Sequence, residues 1–399
     1  MRRATTVGVL ATTGLCLLTV GSNIPGPLLP LYRDRLDLST FTVTALFTAY
    51  LVGLVATFTT IARTRLSSHA VVVLPIAITL AALGDLALLA GDGSVVWLFM
   101  GRILVGISVG LGTGATATIV LATRGERGRA IAATATLLGS FLGLAASAAA
   151  ADLLPAPTIT IYYLHIAALI VTATAFIALH RSSRVLVNRM IAGPGDVVDP
   201  SASSAATVGT ESDRRSPRRV RLAGITLGTA GWAIGGVAVG LLPTVVTDMT
   251  KSPSITVTAL APIVLIGVAC VAPRVIGRLP APATAATIAL GAAVCVVGVW
   301  RGDLSMILAA CVVWGIGQGF AYATGLRIAT AGMGPVQQGR AASQYASIAY
   351  ALTGTVAVAS GWIATSAGMT AGVGFGGAVF ATLCAITVVL GHRRWPRTP

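Results

Sequence analysis

Bilayer-length apolar runs alternate with short polar segments along the whole chain. The runs fall near residues 6–30, 40–62, 70–91, 95–122, 129–152 and 157–180, and resume near 221–247, 255–276, 281–300, 304–330, 341–366 and 369–391. A helix rising about 1.5 Å per residue needs about 20 apolar residues to cross the hydrocarbon layer. One such run could be a buried soluble helix, but twelve in series predict an all-α polytopic membrane protein. The opening MRRATTVGVLATTGLCLLTV has the basic-then-apolar order of a secretion signal. No small-x-small cleavage site follows it, so it is read as the first membrane helix. Between the sixth and seventh runs lies GPGDVVDPSASSAATVGTESDRRSPRR, too polar to bury a core of its own. The predicted organisation is a six-helix bundle over 1–180, a flexible cytoplasmic linker over 181–220, a second six-helix bundle over 221–391 and a cytoplasmic tail over 392–399.

Charge placement orients these spans. With the N-terminus inside, 22 of the 27 basic residues fall in cytoplasmic segments, while Arg33, Arg35, Lys251 and Arg301 lie outside and Arg102 lies within a span. That asymmetry is the positive-inside bias of an even helix count with both termini cytoplasmic. The net charge of +15 therefore reports topology and contact with anionic lipid, and nucleic acid is excluded as a partner. Five cysteines, Cys16, Cys270, Cys295, Cys311 and Cys384, lie in apolar runs without paired spacing, so neither a disulfide nor a metal site is expected. No motif calls for a cofactor.

Short matches recur in register. TVTAL spans Thr42–Leu46 and Thr256–Leu260, LLP spans Leu28–Pro30 and Leu241–Pro243, and GRA spans Gly128–Ala130 and Gly339–Ala341. Six helices separate the members of each pair, so both copies enter the membrane in the same direction. This is a parallel internal repeat, with the two six-helix halves related by an axis along the membrane normal.

Asp85 is the one acid clearly inside an apolar run, and its depth in the third span matches that of Arg102 in the antiparallel fourth. Intramembrane charges are costly and call for a partner. An Asp85–Arg102 ion pair is expected, either as structural neutralisation or as a protonatable switch. In the tenth span Trp314, Gln318 and Tyr322 recur every four residues, placing two aromatic rings and an amide along one drifting stripe. In the first span Asn23 precedes Pro25, Gly26, Pro27 and Pro30, which should bend or break the helix. Tyr50, Tyr345 and Tyr350 are weaker candidates, and His165 is read as a satisfied core histidine.

The fourth span contains GRILVGISVGLGTG, residues 101–114. It resembles the fourth-helix motif of the major facilitator superfamily, an arginine followed by closely spaced glycines. The resemblance covers nearly the whole chain outside the linker and ends. It implies a fold of two pseudo-symmetric six-helix bundles, with a cavity lined by spans one, four, seven and ten. Asn23, Trp232, Trp314, Gln318 and Tyr322 would line it. For Arg102 the resemblance implies a role in substrate or proton movement; the other reading is an arginine that snorkels to the surface. Gly106, Gly110 and Gly114, with Gly139 and Gly143 in the fifth span, should let helices approach closely. The loop motif after the second span survives only as TTIARTRLSSHA, with Arg65 kept, Thr64 in place of the acid and Ser67 in place of a glycine. Gly128, Arg129, Gly339 and Arg340 mark equivalent loops of the two halves. The fifth-span antiporter signature departs from the family pattern, with Leu144 for proline and Ser147 and Ala148 for glycines.

The function this implies is secondary transport by alternating access, with proton-coupled export of a small apolar or amphipathic compound, carried out by a monomer in a bacterial inner membrane. The sparsity of buried charge argues against sugar or organic-anion carriage. Uptake of a neutral metabolite is the alternative. A polytopic enzyme would need acids or histidines clustered at one face, which the short loops lack. A non-transporting sensor on the same fold would bind ligand without moving it.

Overall fold

The computed structural model describes residues 2–64, 69–124, 127–192, 211–331 and 335–391. In the first half, α1 (Arg2–Asn23) and α2 (Pro25–Leu36) form the first span, followed by α3 (Thr40–Arg63), α4 (Ala70–Ala90), α5 (Val95–Arg124), α6 (Arg127–Leu153) and α7 (Pro157–Ala192). In the second half, α8 (Glu211–Gly240) and α9 (Leu242–Thr250) form the seventh span, and α10 (Ile255–Thr258) and α11 (Leu260–Ile276) the eighth. The last four are α12 (Ala281–Arg301), α13 (Leu304–Ala329), α14 (Pro335–Ala367) and α15 (Met369–Gly391). Eleven of these spans are helices long and apolar enough to cross a membrane, and α11 is a shorter apolar helix. The end of the molecule where α1 begins is called the terminal face below, and the opposite end the far face.

Local chemistry starts and holds these helices. Ser39 and Ser254 each place a side-chain oxygen on a first-turn amide, that of Thr42 and Val257 respectively, and Asp303 does the same at α13 for Ser305 and Met306. Threonine is tolerated inside the spans because its hydroxyl folds back on the preceding turn. Thr57 donates to the Gly53 carbonyl and Thr353 to that of Ala349, both at 2.8 Å. Val72, Ile76, Leu83 and Leu86 on α4 are about half exposed along one stripe, a surface that lipid tolerates and water does not.

Two expectations change. The second copy of TVTAL is not continuous helix. It breaks at Ala259, because Pro262 has no N–H to offer the Thr258 carbonyl. At the same place in the first copy stands Thr48, and α3 runs through unbroken. The expected linker is also shorter than 181–220: α7 reaches Ala192 and α8 begins at Glu211, leaving 193–210 outside the described residues. Arg65 lies outside them as well, as do the side chains of Gly128, Arg129, Gly339 and Arg340, which fall within α6 and α14.

The repeat is visible in the packing. Span four packs on spans one, two and three as span ten packs on seven, eight and nine; span one meets five and six as seven meets eleven and twelve. The glycines follow the same rule. A Cβ at Gly106 would strike the Tyr50 carbonyl of α3, and one at Gly315 the Leu265 carbonyl of α11. The halves meet along two symmetry-related seams, spans two with eleven and five with eight.

Candidate functional site

Arg102 is 4% exposed and lies seven residues, about 10 Å, in from the start of α5. Its Nε donates to the Leu46 carbonyl at 3.1 Å, Nη1 to that of Ser22 at 2.7 Å and Nη2 to that of Phe47 at 3.4 Å. The guanidinium also stands 5.0 Å from the Tyr50 ring centroid. It does not snorkel; it ties spans one and two to span four through carbonyl dipoles. Gly106 and Gly110 bring α3 close enough for this, since a Cβ there would meet Tyr50 or the Thr57 side chain. Gly114 faces only the tip of Ile61. Gly139 and Gly143 likewise admit the backbone of α1 at Cys16 and Val20.

The expected Asp85–Arg102 pair is not formed. Asp85, 0% exposed, faces His165 instead, with Oδ2 2.6 Å from Nδ1. His165 is itself 4% exposed, and its Nε2 lies 2.9 Å from the Leu17 carbonyl. The ring reaches between three helices because Gly21 leaves room, where a Cβ would collide with the imidazole. Asp85 Oδ1 has no partner among the described residues. The signal for this pairing was an intramembrane histidine at a depth similar to the acid's, on a helix running the other way. It required knowing that spans three and six touch.

Aromatic rings gather where the halves meet. Trp232 of α8 lies 4.6 Å from Tyr322 and, edge-on, 5.2 Å from Tyr350. Tyr322 continues to Tyr345 at 5.0 Å, and Tyr350 stacks on Phe58 of the opposite half at 5.8 Å. Tyr345 donates to the Tyr322 carbonyl at 2.9 Å, its hydroxyl seated in the gap left by Gly228 and Gly325. Trp232, Tyr322 and Tyr50 are half-buried. Asn23 is half-buried too, with Nδ2 donating to the Thr19 carbonyl and the Ser22 hydroxyl.

Trp314 is not part of this group. It is 1% exposed, donates to the Ile288 carbonyl at 3.0 Å and meets Phe380 edge-on inside the second bundle. Steps of four residues drift by about 40° around a helix, so Trp314 and Tyr322 face directions about 80° apart. Gln318 lies between them, buried, with Oε1 unpartnered among the described residues. The first-span break is slight: Ile24 keeps helical angles and its bond to Val20, while Ser147 donates to the Ile24 carbonyl at 2.6 Å. A separate cavity of about 120 Å³ near the terminal face, lined by Thr12, Thr13, Val120 and Arg124, is too small for a drug-sized ligand.

Two halves of six spans, packed by the same rule and meeting at an aromatic cluster, are matched by the family model described as Major Facilitator Superfamily over residues 11–358. The chain belongs to the major facilitator superfamily. It is a secondary-active, multi-pass membrane transporter of small molecules, and not an enzyme. Solved structures similar in fold include a bacterial homolog of the human lysosomal transporter Spinster, inward-facing and occupied, at TM-score 0.64 and 12% identity over 99% of both chains. A D-xylose–proton symporter matches at TM-score 0.69 and 14% identity over 99% of this chain and 98% of that one. A peptide transporter matches at 0.73 and 15%, over 98% and 94%. No curated protein matches the sequence.

In this superfamily member the two halves are also tied together at the far face. Asp152 at the end of α6 accepts from the Ser254 hydroxyl at 2.6 Å and from the amides of Ile255 at 2.8 Å and Thr256 at 3.0 Å. One carboxylate of the first half thus caps the first turn of span eight in the second. Nearer the terminal face, the same two spans meet through Arg274, which donates to the Thr134 hydroxyl at 2.9 Å.

Proposed function

We propose that the protein exports a small apolar or amphipathic compound, exchanging it for protons across a bacterial plasma membrane with both termini in the cytoplasm. The carrying observation is the aromatic cluster. Trp232, Tyr322 and Tyr350 offer ring faces and edges between the halves, next to Tyr50 and Arg102. Such surfaces bind flat or greasy molecules with little demand for specific polar groups. The nearest cation, Arg102, is buried with three of its five N–H groups on carbonyls, which disfavours it as a seat for a carboxylate or phosphate. The tie from Asp152 of span five to span eight supports a state closed at the far face, from which the other end of the pathway would load.

The test is proton flux in everted vesicles challenged with ethidium, other lipophilic dyes and neutral sugars, for the wild type and Trp232→Ala. Export predicts collapse of an imposed pH gradient by one or more dyes, with the response weakened about ten-fold in affinity by the substitution. A response confined to a neutral sugar would instead establish uptake of a polar metabolite and remove the aromatic reading.

A further inference from the structure

The buried Asp85–His165 contact has a protonation state that its geometry constrains. A carbonyl oxygen only accepts, so His165 Nε2, 2.9 Å from the Leu17 oxygen, carries a hydrogen and donates. That leaves Nδ1 facing Asp85 Oδ2 at 2.6 Å. Two lone pairs at that distance repel, so one proton lies between nitrogen and oxygen. The pair is then neutral overall, whether written as imidazolium with carboxylate or as imidazole with carboxylic acid. Removing that proton leaves a bare carboxylate against a nitrogen lone pair in a site closed to water, and the contact must open.

The geometry points to the Asp85–His165 pair as the proton-binding site of the transport cycle, set to one side of the substrate cavity. This deepens the proton-coupled reading above and rests on it. The transmitting element is the first span. His165 holds its Leu17 carbonyl and Arg102 holds its Ser22 carbonyl, so one helix that borders the cavity is gripped at two points five residues apart. Opening of the pair loosens one grip and leaves the other.

The groups around the pair are few. Tyr162 on the same helix is hydrogen-bonded to Tyr32 of α2 at 3.3 Å, and Arg102 of α5 is turned to its carbonyls and Tyr50. Asp92 and Arg35 pair with each other at the far face, and α1 presents carbonyls and Gly21. Once the shared proton has left, the unpartnered Asp85 Oδ1 is the carboxylate oxygen open to a returning proton, which then settles between Oδ2 and Nδ1.

The full chain in nanodiscs would be titrated from pH 4 to 10 by infrared spectroscopy, with Asp85→Asn and His165→Gln as variants. Asp85→Asn keeps the shape, and its amide can donate to Nδ1, so it should fold. One carboxylic-acid carbonyl or imidazolium ring band that vanishes with rising pH in the wild type and is absent or shifted in midpoint by at least about one pH unit in both Asp85→Asn and His165→Gln is expected. A band that persists unchanged in Asp85→Asn, or that never titrates, overturns the site. In parallel, ethidium efflux from proteoliposomes driven by a pH gradient should be lost in Asp85→Asn. Driven efflux that survives in this variant overturns the inference while leaving proton-coupled export standing. A titrating pair in a wild type that moves no dye and responds to no gradient would sink the export reading instead.

Discussion

Asp152 of the first half places a carboxylate oxygen 2.8 Å from the amide nitrogen of Ile255 in the second. The same turn, only four residues long before the break at Ala259, is also capped by Ser254 on the Val257 amide and tied by the Thr256 hydroxyl to the Ala148 carbonyl at 3.2 Å. Replacing Asp152 with alanine removes a cap and an inter-bundle tie together, at a cost of about 1–2 kcal/mol. That is roughly a ten-fold shift in the balance between closed and open far faces. Distances between spin labels placed at the ends of spans five and eight should broaden to longer values. An unchanged distribution would show that closure is carried elsewhere along the seam.

Arg102→Lys should fail despite keeping the charge. An ammonium cannot reach carbonyls on two helices in the planar fork that a guanidinium provides. With hydrogen bonds to charged groups worth about 1.5–3 kcal/mol each, losing two of three should lower the detergent melting temperature measurably and cut transport at least ten-fold. Wild-type transport in Arg102→Lys would reduce the residue to a generic buried cation.

Trp232 and Trp314 should part company under mutation. Trp314→Ala opens a void in the second bundle and should cost about 3–5 kcal/mol of stability, leaving dye affinity nearly unchanged in whatever protein remains folded. Trp232→Ala, at a half-buried ring, should weaken dye binding about ten-fold with a smaller loss of stability. Fluorescence-detected unfolding and equilibrium dye binding on the same preparations separate the two.

Gly106→Ala and Gly114→Ala offer a steric pair on one stripe. A methyl at Gly106 meets the backbone of α3 at Tyr50, whereas at Gly114 it meets only the Ile61 side chain, Cδ1 at 3.4 Å and Cγ2 at 3.9 Å. Backbone cannot step aside as a side-chain tip can. The first variant should lose monodisperse protein in size-exclusion chromatography, and the second should match the wild type.

The spans, the repeat and the close-packed glycines were legible because each depends on a local property of the chain: length of apolar run, identity at fixed offset, absence of a side chain. Two things resisted. The partner of Asp85 depended on which helices touch, and depth alone pointed to the neighbouring Arg102 when His165, 80 residues away in sequence, was the one in contact. The direction of Trp314 depended on helical drift, which carries a stripe of four-residue steps out of the cavity and into the bundle core. The aromatic cluster was partly visible in the same way: Trp232 and Tyr322 were named for the cavity, but Phe58 was not, because only the seam between spans two and eleven brings it to Tyr350.

The duplicated halves differ in one respect that the shared packing conceals. Four residues before Gly106 stands Arg102, and four before its counterpart Gly315 stands Cys311. Asp85 and His165 also lie in the first half, so among the described residues the buried acid, imidazole and guanidinium all belong to one bundle. A membrane potential does work only on charge, about 2.3 kcal/mol for each unit carried through 100 mV. When the two halves rock, voltage therefore pulls on the first and finds little to hold in the core of the second. The two copies of the repeat thus differ in how much buried charge a field can act on, and among the described residues that charge lies in the first alone.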